Sequence, residues 1–301
     1  MPNLLHKIFN KNQSMKNGDQ IDDKKRQDKI DESRNPQIKG DKGLLQLQIG
    51  SSQSIGRQRD HNEDSLFTFS SLIADGQGQQ SFGLFIVADG MGGHQNGEIA
   101  SSVAVRAASK YLVEHIFSNL LLRMDFSIEE GVQESLRKAI NAAQDAVIHV
   151  APGGGTTMTI AVLLGSQVTL AHVGDSRAYF FLADGSVQRL TKDHSFVQHL
   201  IDLNEITEEE AAVHPQKNII LKAVGQSESY TPDIQTIAVP QGSTLLLCSD
   251  GLWGVVSEDE MNTEIQYMAD PIETSRKLVN LANQAGGPDN ISVILIKYPV
   301  F

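Results

Sequence analysis

The chain holds one cysteine, Cys248, among 301 residues. No disulfide can form within it, which fits a reducing compartment. Long apolar runs are also missing. None approaches the ~20 residues of a membrane span, and the apolar part of MPNLLHKIF is too short for a signal peptide. These absences point to a soluble, cytoplasmic protein with no membrane partner. Basic charge is scarce as well: 25 Lys and Arg face 37 Asp and Glu, a formal net charge of -12. A nucleic-acid ligand would call for a basic stripe, so none is expected.

The acidity is uneven. Residues 1–43 carry ten basic and seven acidic residues, leaving this segment at about +3 and residues 44–301 at about -15. In residues 10–43 the isoleucines 21, 30 and 38 stand isolated among polar residues. Such a stretch cannot bury enough surface to offset its ordering entropy. Residues 1–43 are therefore expected to be a disordered polar tail, and 44–301 a folded domain. An acidic body suits a collector of divalent cations, although most acidic proteins collect none.

From residue 44 short β-rich runs appear at 65–69, 82–88, 157–164, 167–173, 177–182, 244–248 and 291–297. Helical periodicity marks 97–116, with Ala100, Ala104, Ala108 and Leu112 four apart, and 127–150, with Val132, Leu136 and Ile140. Helix starts are signalled by Ser127 with Glu130, Thr207 with Glu210, Ser257 with Glu260, and Asp270 before Pro271. Two consecutive helices followed by hairpin-like strands argue against a doubly wound parallel sheet. They predict an α+β fold: two packed antiparallel β-sheets, a β-sandwich, with pairs of helices outside.

Several apolar runs end on an acid followed by a small residue: FIVADG at Asp89, LAHVGDS at Asp175 and LLLCSDG at Asp250. Asp289 precedes the run ISVIL, and Glu63 with Asp64 precedes SLFTF. Singly, each reads as a turn residue. Gathered at one end of a sandwich, they would repel one another unless cations sat among them. All are oxygen donors, with no His or Cys set at zinc spacing, so Mg²⁺ or Mn²⁺ fits best. Glycine after the acid would let a backbone carbonyl approach the same ion. Two such ions generate hydroxide at neutral pH and clamp a phosphoryl group. Arg59, four residues before Glu63, offers a guanidinium fork for phosphoryl oxygens.

Competing chemistries fail on spacing. A cysteine phosphatase needs arginine six residues after its nucleophile, and six after Cys248 stands Gly254. An aspartyl nucleophile at Asp89 would want a second aspartate where Met91 stands. GMGGHQNG has neither the GxGxxG spacing nor the Gly-Lys-Ser/Thr of a P-loop, and GGGTT at 153–157 has no lysine.

Eight segments in order, GRQRDHNEDS (56–65), VADGMGGHQNGEIAS (87–101), GGTTMTIAVL (154–163), AHVGDSRAYF (171–180), LTKDHSFV (190–197), HPQKNIILKAVG (214–225), LLLCSDGLWG (245–254) and GGPDNISV (286–293), carry a resemblance. The chain resembles the PPM (type 2C) family of metal-dependent Ser/Thr protein phosphatases, in its bacterial branch, over nearly all of 50–298. The resemblance implies in-line attack by a hydroxide bridging two Mn²⁺ or Mg²⁺ ions, without a phosphoenzyme. It implies that Asp89 bridges both ions, with the Gly90 carbonyl on one and Asp250 and Asp289 on the other. Glu63 and Asp64 would act through ion-bound waters, and Arg59 would bind the substrate phosphate.

Asp175 would help hold a third ion near a flap at about 195–222, with the backbone around Asn218 as its partner. Substrates would be Ser/Thr-phosphorylated proteins, with a cognate Ser/Thr kinase as a further partner, and the protein would be a monomer. Two positions depart from relatives. Met91 stands where many eukaryotic members carry a histidine that protonates the leaving group, which leaves that acid unassigned; His94 is nearby. Gly154 stands where bacterial relatives commonly have methionine. The rival of another class is a catalytically silent relative acting as a binding or regulatory module. Such proteins lose metal aspartates, whereas Asp89, Asp175, Asp250, Asp289 and Arg59 are all present.

Overall fold

The continuous apolar runs become strands covered on both faces. A computed structural model describes residues 46–298 apart from 76–77, 93–94, 123–127 and 227–229. The expected tail, His94 and the Ser127 cap lie outside the described residues. One sheet has five strands, in the order β1 (Gln48–Ser54), β11 (Ile291–Lys297), β10 (Thr244–Cys248), β7 (Arg177–Phe181) and β8 (Val187–Arg189). The second runs β2 (Asp64–Asp75), β3 (Gly78–Met91), β5 (Met158–Leu164), β6 (Gln167–Val173) and β9 (Asp233–Ala238), with β4 (Gly155–Thr156) joined to the end of β3. Neighbouring strands pair antiparallel throughout.

Strand side chains alternate between faces, and here both faces are buried. In β3, Phe85 and Val87 point between the sheets, where they join Leu245 and Leu247 of β10, Ile294 and Ile296 of β11, and Ala178 and Phe180 of β7. Phe82, Leu84, Ile86 and Ala88 point the other way, onto helices. Leu246 and Cys248 do the same on the far side, with Val293 and Leu295. The layering is helices, sheet, sheet, helices, as the periodicities predict.

The helices over the longer-stranded sheet are α1 (Gln95–Leu112), a π-helical turn at Val113–Phe117, the short α2 (Ser118–Leu121) and α3 (Ile128–Val150). Ala100, Ala104, Ala108 and Leu112 are fully buried against Leu136 and Ile140. On the opposite side lie α6 (Asp250–Trp253), α7 (Glu258–Gln266) and α8 (Pro271–Gln284). Between β8 and β9 the chain forms α4 (Phe196–Asp202) and α5 (Glu208–Ala212). The capping boxes at Thr207–Glu210 and Ser257–Glu260 are both formed, and Asp270 caps α8 ahead of Pro271. Such caps each contribute about 1 kcal/mol. Among the described residues no helix is long and apolar enough to cross a membrane.

Besides the two-residue β4, three strands were not expected from the residues: β1 (QIGSSQS), β8 (VQR) and β9 (DIQTIA). All three are sheet edges, and an edge strand with one open side carries polar residues that read as loop. Gly50 within β1 has a plain packing reason: a Cβ there would overlap the backbone of Pro271 where α8 begins.

Candidate metal centre

The row of side chains that fills the space between the sheets changes character at one end. Following the inward-facing register outward, apolar residues give way to polar ones in strand after strand. Val87 is followed by Asp89, Leu66 leads back to Asp64, Leu247 gives way to Ser249, and Ile294 to Ser292 and Asn290. On the remaining strands Ala161 leads back to Thr159 and Thr157, Leu170 to His172, and Ala178 to Ser176. Asp64 and Asp89 face each other directly across the β2–β3 ladder. Asp250 is the first residue of α6, just past β10, and Asp289 lies just ahead of β11. Asp175 sits in the short connection between β6 and β7.

The polar row holds these acids in place. Ser249 and Ser292 both donate to Asp64 Oδ2, at 2.8 and 2.7 Å. The Asp89 backbone is gripped by a threonine pair: its N–H donates to Thr157 Oγ1 at 2.9 Å, and its carbonyl accepts from Thr156 Oγ1 at 2.9 Å and from the Thr157 N–H at 2.8 Å. Asn290 fastens the loop that carries Arg59 and Glu63. Its Oδ1 accepts from the Glu63 N–H at 2.7 Å, while Nδ2 donates to the carbonyls of Ile55 and His61 at 2.8 and 2.9 Å. The Gly90 N–H donates to the Glu63 carbonyl at 3.2 Å. A Cβ on Gly90 would overlap the backbone carbonyls of Gly97 and Glu63, so the start of α1 needs glycine there to settle onto β2 and β3.

The electrostatics are those of crowded, desolvated acids. Asp64 is pushed up to about 7, first by burial and also by Asp250 and Asp289, against the pull of its serine hydrogen bonds. Burial also pushes Asp89 and Asp175 well above the usual carboxylate range; Asp64 and Asp250 add to the effect on Asp89, and Asp250 and Asp193 to that on Asp175. Asp250 rises to about 6 through burial and Asp289, moderated by a hydrogen bond with Asp89 and by Arg59. Asp89 and Asp250 nevertheless each keep a face open to solvent.

Three oxygens, Oδ1 of Asp64, of Asp175 and of Asp250, are buried without a hydrogen-bond partner among the described residues. Leaving a buried polar atom unpaired costs about 1–3 kcal/mol, more if charged. An all-oxygen set with unpaired lone pairs fits a hard divalent cation. The acids are assembled rather than converged: among the described residues no three of them stand around one point in liganding geometry. Arg59 Nη2 lies 2.6 Å from Asp289 Oδ2, with 49% of its side chain exposed. Glu63 Oε1 is 3.5 Å from His61 Nε2.

Of the remaining sequence candidates, Asn218 is exposed in the turn after α5. The Asp175 loop is held by hydrogen bonds from Trp253 and His194. Cys248 is buried among the outer helices, its thiol pushed up to about 12 by desolvation, as suits a core residue. Sequence reasoning passed over Ser249, Ser292, Asn290, Thr156 and Thr157. For all but Thr156, which has the opposite parity, the signal was a place on the inward-facing parity of the strand, just beyond its last apolar residue.

A family model described as protein phosphatase 2C matches residues 54–284. A serine/threonine phosphatase stp of Listeria welshimeri serovar 6b is 37% identical over 248 residues, covering 80% of this chain and 92% of its own. The solved serine/threonine phosphatase of S. agalactiae superposes with a TM-score of 0.72 at 32% identity, over 84% of this chain and 100% of that one. The catalytic domain of the phosphatase PstP, solved with two manganese ions, gives 0.67 at 30% identity, over 84% and 98%.

Proposed function

The chain belongs to the protein phosphatase 2C (PPM) family, and from that premise we propose that it is a metal-dependent phosphatase that hydrolyses phosphoserine and phosphothreonine on proteins. The observation that carries this reading is the set of strand-end aspartates with three buried, partnerless carboxylate oxygens. On this reading Asp89, Asp250, Asp289 and the Gly90 carbonyl would hold the two ions, Glu63 and Asp64 would act through water, and Asp175 would help hold a third ion. Two Mn²⁺ or Mg²⁺ ions, when bound, would supply a hydroxide nucleophile at neutral pH for in-line attack and offset charge on the phosphoryl oxygens.

The chain's own groups do the rest. Thr156 and Thr157 fix the Asp89 backbone, and Ser249 with Ser292 commits one oxygen of Asp64 so that Oδ1 stays free. Arg59 is half exposed at the rim, and on this reading it would exchange its bond with Asp289 for two phosphoryl oxygens. The natural counterpart of such an enzyme is a Ser/Thr kinase that writes the marks it removes.

The test is turnover of p-nitrophenyl phosphate by the purified protein. It is expected with added Mn²⁺ and nearly lost with a chelator. Activity that survives chelation would overturn the metal reading, and inactivity in every divalent ion would make the chain a silent binding module. Arg59→Ala removes a charge-assisted grip worth about 1.5–3 kcal/mol, so kcat/KM should fall roughly 10- to 100-fold, mainly through KM. An unchanged KM would assign the phosphate to another residue.

A further inference from the structure

Asp175 is buried, and its Oδ1 has no hydrogen-bond partner among the described residues. The direction of this carboxylate is therefore set by its backbone, and that backbone is tied down from two sides. The Trp253 indole N–H donates to the Asp175 carbonyl at 3.0 Å. His194 holds the preceding residue twice: its N–H donates to the Gly174 carbonyl at 2.7 Å, and its Nδ1 accepts the Gly174 N–H at 3.1 Å. Gly174 itself has a φ of +110°, a conformation that favours glycine, and a Cβ there would overlap Thr157.

The tryptophan is fixed in turn. The Arg177 guanidinium lies 3.5 Å over its ring, a cation–π stack. Arg177 is locked by Asp193, which accepts from Nε at 3.0 and 3.2 Å and from Nη2 at 2.7 Å. Its Nη1 donates to the Tyr179 hydroxyl at 3.1 Å. These bonds commit every nitrogen of the guanidinium, and the side chain is only 15% exposed. Arg177 is therefore no second phosphate grip beside Arg59.

We propose that Trp253 and Arg177 are positioning residues that aim Asp175 at a bound divalent cation. This rests on reading Asp175 as an ion ligand. The same brace reaches Asp250 through α6, which begins at Asp250 and ends at Trp253. Through Asp193 and His194 it also reaches the base of the 195–222 segment, where Phe196 and Leu221 close the stalk by hydrogen bonds to Ile219 and His194. One aromatic ring thus joins two acids that the chain places far apart.

The test is Mn²⁺ titration of wild-type, Asp175→Asn, Trp253→Phe and Arg177→Lys protein, followed by calorimetry with a thermal melt of each chelated variant. Trp253→Phe keeps the stacking face and loses the N–H donor; Arg177→Lys keeps the charge and loses the planar fork. Both should weaken one Mn²⁺ step roughly 10- to 100-fold, the step that Asp175→Asn removes, and leave the other steps and KM unchanged. Trp253 is the only tryptophan. Its emission should therefore follow that step in wild type and stay flat in Asp175→Asn.

An unaltered step in Trp253→Phe, with Asp175→Asn altered, would overturn the brace alone. Equal weakening of all steps together with a lowered melt would show a merely structural role and overturn it too. If Asp175→Asn leaves every step intact, Asp175 is no ligand and the proposal falls with that reading, while p-nitrophenyl phosphate turnover decides the phosphatase reading separately.

Discussion

Asp89→Asn should abolish turnover and, in chelator, make the protein more stable. If Asp89 holds the ions as proposed, its loss removes several kcal/mol of charge stabilisation from the reaction, at 1.36 kcal/mol per tenfold, so kcat should drop by at least about a thousandfold. The stability gain has a separate cause. Asp89 lies among Asp64, Asp250, Asp175 and Asp289, and burial and these neighbours all disfavour its charge. Asparagine has the same shape, carries no charge, and has an N–H that can donate to a neighbouring carboxylate such as Asp250. Relief of about 1 kcal/mol would raise Tm by about 2–4 °C in a domain of this size. Retained kcat would show that the centre has been misassigned. A lower Tm in chelator would show that crowding of the acids is not what limits the metal-free fold.

The chelated protein should also lose stability as pH rises, and Mn²⁺ should reverse that slope. Asp64 and Asp250 have folded pKa values raised to about 7 and about 6, above the ordinary 3.8. Between those limits the folded state holds protons that the unfolded state has released, so stability falls with rising pH. The loss begins near pH 4 and continues through pH 7, and Asp89 and Asp175 extend it in the same direction. A bound cation needs the carboxylates ionised, so in Mn²⁺ stability should climb across the same window.

His172 works the other way. Burial lowers it to about 4 from an ordinary 6.5, so its contribution is present above 6.5 and lost on acidification. It is common to both samples and cancels in the difference between Mn²⁺-loaded and chelated melts. A difference that stays flat from pH 5 to pH 8 would refute the assignment of these acids as the ion site.

The layered architecture was legible because burial on both faces leaves strands such as TLLLC and ISVILIK largely apolar, and because caps such as Ser257 with Glu260 announce helices directly. Strands β1, β8 and β9 were not, since an edge with one open face carries the same polar residues as a loop. The acids could be named from sequence because each interrupts or borders an apolar run. Their arrangement could not: that Asp64 hangs between Ser249 and Ser292, 185 and 228 positions away, depends on sheet pairing that no local pattern encodes. Arg177 was equally unreadable, because its partner Asp193 and its stacking surface Trp253 come from two other parts of the chain.

The facing of Asp64 and Asp89 across the β2–β3 ladder makes residue count part of the chemistry. Side chains alternate strictly along a strand, so a single-residue insertion within β2 that no bulge absorbs would send Asp64 to the outer, helix-covered face while leaving every residue type unchanged. The hairpin that joins the two strands lies at their far end, beyond Asp75 and Gly78, where added length leaves the register untouched. The two strands therefore work as a ruler: length is free to vary at the hairpin and is held to the residue in between.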